Sequence, residues 1–342
     1  MKIIVEKNIP FIKGLLEPWA EINYLAPEEI NREKMLDADA LITRTRTRCD
    51  KGLLEGSRCR LIATATIGTD HIDLDYCKEA GITVANAPGC NAPAVAQYVF
   101  ASIAEVMNRQ NDVRPPEAIT LGVVGVGNVG SVIARWGRAL GMNVLCCDPP
   151  RAEAEGGEGF TDLDTIARQC DVITFHTPLT RKGNHATFHM ADKNFFDKLA
   201  KRPLVINSAR GPVIDNEALI DAIDNGQVSN AAIDCWEGEP QINRRLLDKA
   251  AIATPHIAGY SREGKVRATA MALKAVTGFF NLPDIAPEEA VPAGAAANVT
   301  LASIAASYSP ATDTKALKTS PDSFEALRNH YDLRHEVPET TL

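Results

Sequence analysis

The chain has 342 residues, 45% of them hydrophobic, with 36 Lys and Arg against 44 Asp and Glu for a formal net charge of −8. That length exceeds what one core needs and suits two. The acidic balance argues against a nucleic-acid-binding surface, which needs clustered cations, but it leaves room for a local basic pocket that takes a small anion.

In chain order, the opening MKIIVEKNIPFIKG sets four apolar residues directly before Glu6, Lys7 and Asn8, so no signal-peptide core is expected. Short β-branched runs predict strands at 2–5, 40–43, 60–64 and 82–85, with a helix at 72–80. A long apolar helix at about 92–108 follows, and Arg114-Pro115-Pro116 breaks the chain. A second set of strands is predicted at 119–124, 143–147, 172–175, 204–206, 231–234 and 251–253, with helices at 129–140, 216–225 and 262–280. Pro283, Pro287 and Pro292 mark a linker, and a helical stretch closes the chain at 324–335. The small-residue run around 290–306 is broken by Pro292 and Asn298 and does not read as a membrane span. The eight cysteines are scattered, with no CxxC pair, and Cys146-Cys147 suits a buried strand; a reduced compartment is the simplest reading.

Strand–helix alternation with nearly continuous apolar strands predicts an α/β fold: two doubly wound parallel-sheet domains with a short C-terminal extension. The expected domains are 1–95, joined by the helix ending near 281; 96–281; and 282–342, a candidate dimerisation segment.

The run GVVGVGNVG enters a GxGxxG turn from a strand and leaves it into a helix. Gly125 permits the tight turn, Gly127 a close approach to a pyrophosphate, and Gly130 close helix–strand packing. Asn128 and Val129 open the helix, whose N–H groups face the phosphates. A GxGxxG alone is weak evidence. Here the next strand ends at Asp148, about twenty residues on, where an acid binds ribose hydroxyls and repels a 2′-phosphate. NAD is expected rather than NADP, and no metal.

Three more strand ends carry Arg210, Glu239 and His256. Each has a bland alternative: a surface ion pair, a turn cap before Pro240, a satisfied core histidine. Together they match the needs of 2-hydroxy acid oxidation. A guanidinium grips a carboxylate with two parallel hydrogen bonds. An imidazole takes the hydroxyl proton as hydride leaves. A carboxylate fixes the imidazole tautomer and stabilises the imidazolium. The alternating Arg44, Arg46 and Arg48 would share a face on an extended segment and could hold a phosphate, with Arg44 the strongest candidate, Arg46 and Arg48 at least as readily a solvated face, and an Arg of the C-terminal segment such as Arg328 or Arg334 the alternative holder. His185 and His189 stand four apart without a third ligand and read as ordinary surface residues, while His71 is expected to open a helix. Residues 153–159 read as a mobile loop.

With GVVGVGNVG, INSARG, AIDCWEGEP, PHIAGY and the stretches at 63–73 and 86–100, the chain resembles the D-isomer-specific 2-hydroxyacid dehydrogenases, convincingly over residues 1 to about 285. The resemblance implies a flavodoxin-like substrate domain, a Rossmann NAD domain, and an enzyme acting on a small phosphorylated 2-hydroxy acid on the route to pyridoxal phosphate. It assigns Arg210, Glu239 and His256 as the catalytic trio, with His256 the acid/base. Thr45, Thr66 and Tyr260 would touch substrate, and Asp148, Thr177, Ser208, Asp234 and Gly259 would line NAD. Position 45 keeps a hydroxyl where Ser is frequent. The resemblance also implies a cytoplasmic homodimer, although the segment after about 285 is shorter than in the longer family members, where it forms a dimerisation domain. Phosphoglycerate, glycerate and lactate dehydrogenases are the alternatives within the class, and a nucleotide-sensing corepressor-like binding protein is the alternative outside it.

Overall fold

The computed structural model describes residues 1–288 and 299–337. Pro292 and most of the 290–306 run therefore lie outside the described residues. The chain divides into two compact units: Met1–Asn91 with the chain from Ser261 to 288, and Ala92–Tyr260 with the chain from 299 onward. The last part thus packs with the second unit, whereas a separate extension was expected.

The first unit carries β1 (Lys2–Glu6), β2 (Glu21–Leu25), β3 (Ala40–Thr43), β4 (Leu61–Thr64) and β5 (Thr83–Ala85), and the short helices α1 (Arg32–Met35), α2 (Lys51–Leu54) and α3 (Leu74–Glu79). All five strands are parallel, in the order β2-β1-β3-β4-β5. This is the flavodoxin-like order. Strand β2 was not foreseen: its Glu-Ile-Asn-Tyr-Leu is half-exposed at the sheet edge and lacks an apolar run. His71 lies before α3 and does not open it; Asp73 does, its carboxylate accepting from the Tyr76 N–H.

The second unit opens with α4 (Ala92–Gln110), apolar nearly all round and correspondingly buried. It continues through β6 (Thr120–Val124), α5 (Asn128–Ala139), β7 (Asn143–Cys147), α6 (Pro149–Glu155), α7 (Leu163–Gln169), β8 (Val172–Phe175), α8 (Lys193–Asp197), β9 (Leu204–Asn207), α9 (Asn216–Asp224), β10 (Asn230–Ile233), α10 (Arg244–Lys249) and β11 (Ile252–Ala253). The sheet is again fully parallel, ordered β11-β10-β9-β8-β6-β7, so strand order reverses between β6 and β8. Ligands bind at the carboxyl ends of such a reversal point.

Helix α11 (Arg262–Phe280), capped by Ser261, belongs to the first unit. In the second, α12 (Leu301–Ser307), α13 (Pro310–Thr319) and α14 (Phe324–Asn329) follow, with Ile304, Leu317 and Phe324 in the cores. The closing helix is shorter than expected and ends at Asn329. Of the expected loop 153–159, residues 153–155 close α6, which Asp148 caps by accepting from Arg151 N–H, and 156–159 are turns and bends. All eight cysteines are buried thiols. Among the described residues, no helix is long and apolar enough to cross a membrane.

Candidate active site

The glycine turn joins β6 to α5 at the reversal point. Gly125 has φ +84, and a Cβ there would stand 2.8 Å from Thr177 at the end of β8, so only glycine lets the two strand ends close up. A Cβ at Gly130 would lie 1.9 Å from the Gly125 carbonyl oxygen. At Gly127 it would meet nothing within 4 Å, and no side chain caps α5 there. Gly127 and Asn128 are exposed, Val129 half-buried. The uncapped N–H groups and the open space at Gly127 fit a pyrophosphate on the positive end of the helix. Asp148, at the end of β7, accepts from Val126 N–H at 2.8 Å, which ties it to the same turn.

Nearby, Thr177 is buried and donates to Met190 Sδ at 3.8 Å. The Ser208 hydroxyl is buried without a hydrogen-bond partner, a further observation that suits a polar ligand. His176 is enclosed with Nε2 2.7 Å from Thr174 Oγ1, and burial pulls its pKa down to about 3, so it stays neutral.

The catalytic candidates sit on three successive loops. Buried Asn207 organises the loop after β9, donating to the Arg210 carbonyl at 3.0 Å and accepting from Ala209 N–H at 3.2 Å. Gly211 lets this loop touch the next, since a Cβ there would lie 2.0 Å from the Trp236 carbonyl oxygen. Trp236 is bolted across to the end of β11 by its indole N–H, 2.9 Å from the Thr254 carbonyl. Its own N–H donates to Glu239 Oε1 at 2.8 Å. The other oxygen, Oε2, lies 2.8 Å from His256 Nδ1. A carboxylate only accepts, so Nδ1 carries the proton and Nε2 is the basic nitrogen. Burial alone would raise the Glu239 pKa; the charge and hydrogen bond of His256, the Trp236 N–H and Arg328 outweigh it and hold the carboxyl below its ordinary value. Glu239 is therefore an anion at neutral pH.

One atom each of Cys235, Glu239 and His256 lie within 4.8 Å of one another, a spacing that could hold a metal ion. Burial pushes the Cys235 thiol far above its ordinary pKa and it donates to the Ala209 carbonyl, so it is a poor thiolate ligand.

His256 itself has φ +58. The turn after it is held by Asp234, whose Oδ1 accepts from Ile257 N–H at 2.8 Å and Oδ2 from Ala258 N–H at 2.9 Å, with Thr254 Oγ1 at 2.6 Å. Gly259 and Tyr260 follow, half-buried. The Tyr260 hydroxyl accepts from Arg328 Nε at 3.3 Å, and Arg328 Nη1 stands 4.0 Å from Glu239 Oε2. The sequence offers Arg328 and Arg334 only as alternative holders of a substrate phosphate; the structure instead sets Arg328 against Tyr260 and Glu239.

In the other unit, residues 45–47 form bends, not an extended run, so alternation does not align the three arginines. Buried Glu6 sets that shape by accepting from Thr43 Oγ1, Arg44 N–H and Thr47 Oγ1 at 3.0, 3.0 and 3.2 Å. Arg44 donates to the Asn8 carbonyl at 3.1 Å, and Arg48 pairs with Asp50. Thr45 is exposed; Thr66 shares a hydrogen bond with Thr64 at 2.7 Å. His185 and His189 point to separate acids, Glu153 and Glu237.

Residues 97–258 match the family model "D-isomer specific 2-hydroxyacid dehydrogenase, NAD binding domain". The chain is 49% identical to the erythronate-4-phosphate dehydrogenase of Bacteroides thetaiotaomicron, over 98% of this chain and 97% of that one. To the enzyme of the same name from Porphyromonas gingivalis it is 40% identical, over 100% and 95%. Among solved structures it is similar to the D-lactate dehydrogenase of Aquifex aeolicus complexed with NAD and lactic acid, with 28% identity, a TM-score of 0.67, and coverage of 82% of this chain and 96% of that one. Identity of this order over nearly the full length of both chains means that the chain belongs to the erythronate-4-phosphate dehydrogenases of the D-isomer-specific 2-hydroxyacid dehydrogenase family.

Proposed function

We propose that the protein oxidises 4-phospho-D-erythronate at C2 to (R)-3-hydroxy-2-oxo-4-phosphooxybutanoate, a step towards pyridoxal phosphate. The observation that carries this reading is the His256 Nδ1–Glu239 Oε2 hydrogen bond of 2.8 Å, which leaves Nε2 to take the proton of the substrate hydroxyl. Glu239, held ionised, stabilises the imidazolium that results. Arg210 grips the substrate carboxylate and polarises the carbon beside it. NAD, when bound, accepts the C2 hydride. Gly125, Gly127, Asn128, Val129, Gly130, Asp148, Thr177, Ser208, Asp234 and Gly259 are the residues assigned to hold it. The carboxylate of Asp148 selects NAD over NADP by repelling a 2′-phosphate. Tyr260 and, from the first unit, Thr45 and Thr66 enter as substrate contacts on the strength of resemblance, and Arg44 as a cation suited to the phosphate. A cytoplasmic homodimer is part of this reading, and buried thiols suit a reducing compartment.

The decisive test follows NADH formation with 4-phospho-D-erythronate, D-erythronate, 3-phospho-D-glycerate, D-glycerate and D-lactate. The phosphorylated four-carbon acid should give the highest kcat/KM. A preference for lactate or glycerate, or no NADH from any acid, would sink the assignment. Sedimentation at the mass of one chain would sink the dimer.

A further inference from the structure

The turn that follows His256 is gripped from two sides by opposite charges. Its N–H groups, at Ile257 and Ala258, go to the Asp234 carboxylate. Its carbonyls go to one guanidinium from the C-terminal segment. Arg334 Nη1 donates to Ile257 O at 3.1 Å and Tyr260 O at 2.9 Å, and Nη2 to Ala258 O. The same guanidinium reaches Ala94 O at 3.1 Å and Gln97 Oε1 at 3.1 Å on α4, and the Tyr331 hydroxyl at 3.3 Å. Its carbon lies 4.3 Å from the centre of the Tyr308 ring. Gln97, fully buried, answers by donating to Ser307 Oγ and the His335 carbonyl, so α4 holds the segment on either side of Arg334.

This grip stands beside a strained residue. His256 has φ +58, in the left-handed region that an L residue with a Cβ disfavours, and such a backbone persists only where its surroundings over-determine it. The direction of the imidazole towards Glu239 depends on that φ. A fork of five N–H donors can satisfy several carbonyls in fixed relative positions; an ammonium on a flexible stem cannot.

We propose that Arg334 is a positioning residue for His256. Its guanidinium, with Asp234 opposite, fixes the turn that presents the imidazole to Glu239 and to the substrate hydroxyl. This rests on His256 being the acid/base, so His256→Ala is measured alongside. Arg334→Met and Arg334→Lys in the full chain should each lower kcat by about 10- to 100-fold, the scale set by an ångström of misplacement at a reacting group. NAD should still bind with full stoichiometry, because the α5 turn is untouched, and its Kd should rise by less than kcat falls, since of the clamped turn only Gly259 is assigned to the cofactor. The primary isotope effect on kcat with C2-deuterated 4-phospho-D-erythronate should rise as the chemical step slows. Lys should recover little of the loss.

Normal kcat in both variants, with His256→Ala inactive, would overturn this inference and leave the reading of His256 standing. A fall in kcat that only tracks lost NAD-binding capacity, or failure of both variants to fold, would make Arg334 a plain structural residue and overturn it as well. Full activity in His256→Ala would instead remove the reading beneath it.

Discussion

The two ring nitrogens of His256 have different surroundings, and this sets what each substitution does. Nδ1 is committed to Glu239, so removing the imidazole deletes the base at Nε2 without touching the nucleotide turn. His256→Ala is expected to lower turnover by about 10²- to 10⁴-fold while the Kd for NAD stays put; near-normal turnover in steady-state assays would rule out the mechanism. Glu239 adds a pH signature. Its carboxyl is held below the ordinary value of 4.5, so the folded protein binds its proton less readily than the unfolded chain. The stability it contributes is complete above about pH 4.5 and is lost as pH falls through the lower, folded value. Thermal melts from pH 7 to 3 should therefore show a shallower acid decline for Glu239→Gln than for the parent. Equal slopes would mean that the pair has no such linkage.

At the scale of elements, the turn between β6 and α5 separates binding from folding. A methyl at Gly127 enters open space, whereas one at Gly130 would strike the Gly125 carbonyl at 1.9 Å. Gly127→Ala should keep its melting temperature within a few degrees and lose NAD affinity, because the methyl takes the room meant for the pyrophosphate. Gly130→Ala should lose both, since helix and strand must part. Calorimetry and NAD titration on the two variants decide the matter, and a Gly127→Ala protein with parental NAD affinity would place the pyrophosphate elsewhere. The glycine turn, Asp148 and the Glu239–His256 pair were legible because they stand in the segments that follow strands, and a sheet of this kind gathers strand ends on one edge. Other elements were not legible. Strand β2 is short and half-exposed at an edge and has no apolar run to mark it. The bends at 45–47 follow from Glu6, far earlier in the chain, and α6 from its cap Asp148, whose place in the sequence points only to a cofactor ligand. The clamp on 257–260 depends on an arginine whose partners no local pattern announces.

For the whole molecule, Arg210, Glu239 and His256, proposed for the acid/base chemistry, all lie in the second unit, and in that role carboxylate, hydroxyl and hydride are all they recognise. Recognition of a terminal phosphate is therefore proposed for other groups, Arg44 first. A charge-assisted hydrogen bond to phosphate contributes about 1.5–3 kcal/mol, or one to two decades in kcat/KM. Arg44→Ala should lose that factor on 4-phospho-D-erythronate and not on D-erythronate; an equal loss on both would make Arg44 structural, as its bond to the Asn8 carbonyl would suit. The eight buried thiols have a use beyond packing. Four of them, Cys49, Cys59, Cys77 and Cys90, lie in the first unit, and four, Cys146, Cys147, Cys170 and Cys235, in the second. A maleimide reagent is blind to all of them until the chain around them opens, so mass spectra taken along a urea gradient count the thiols each unit exposes. Species carrying four labels, all within one set, would show that the units melt separately; a direct passage from none to eight would show that they melt as one.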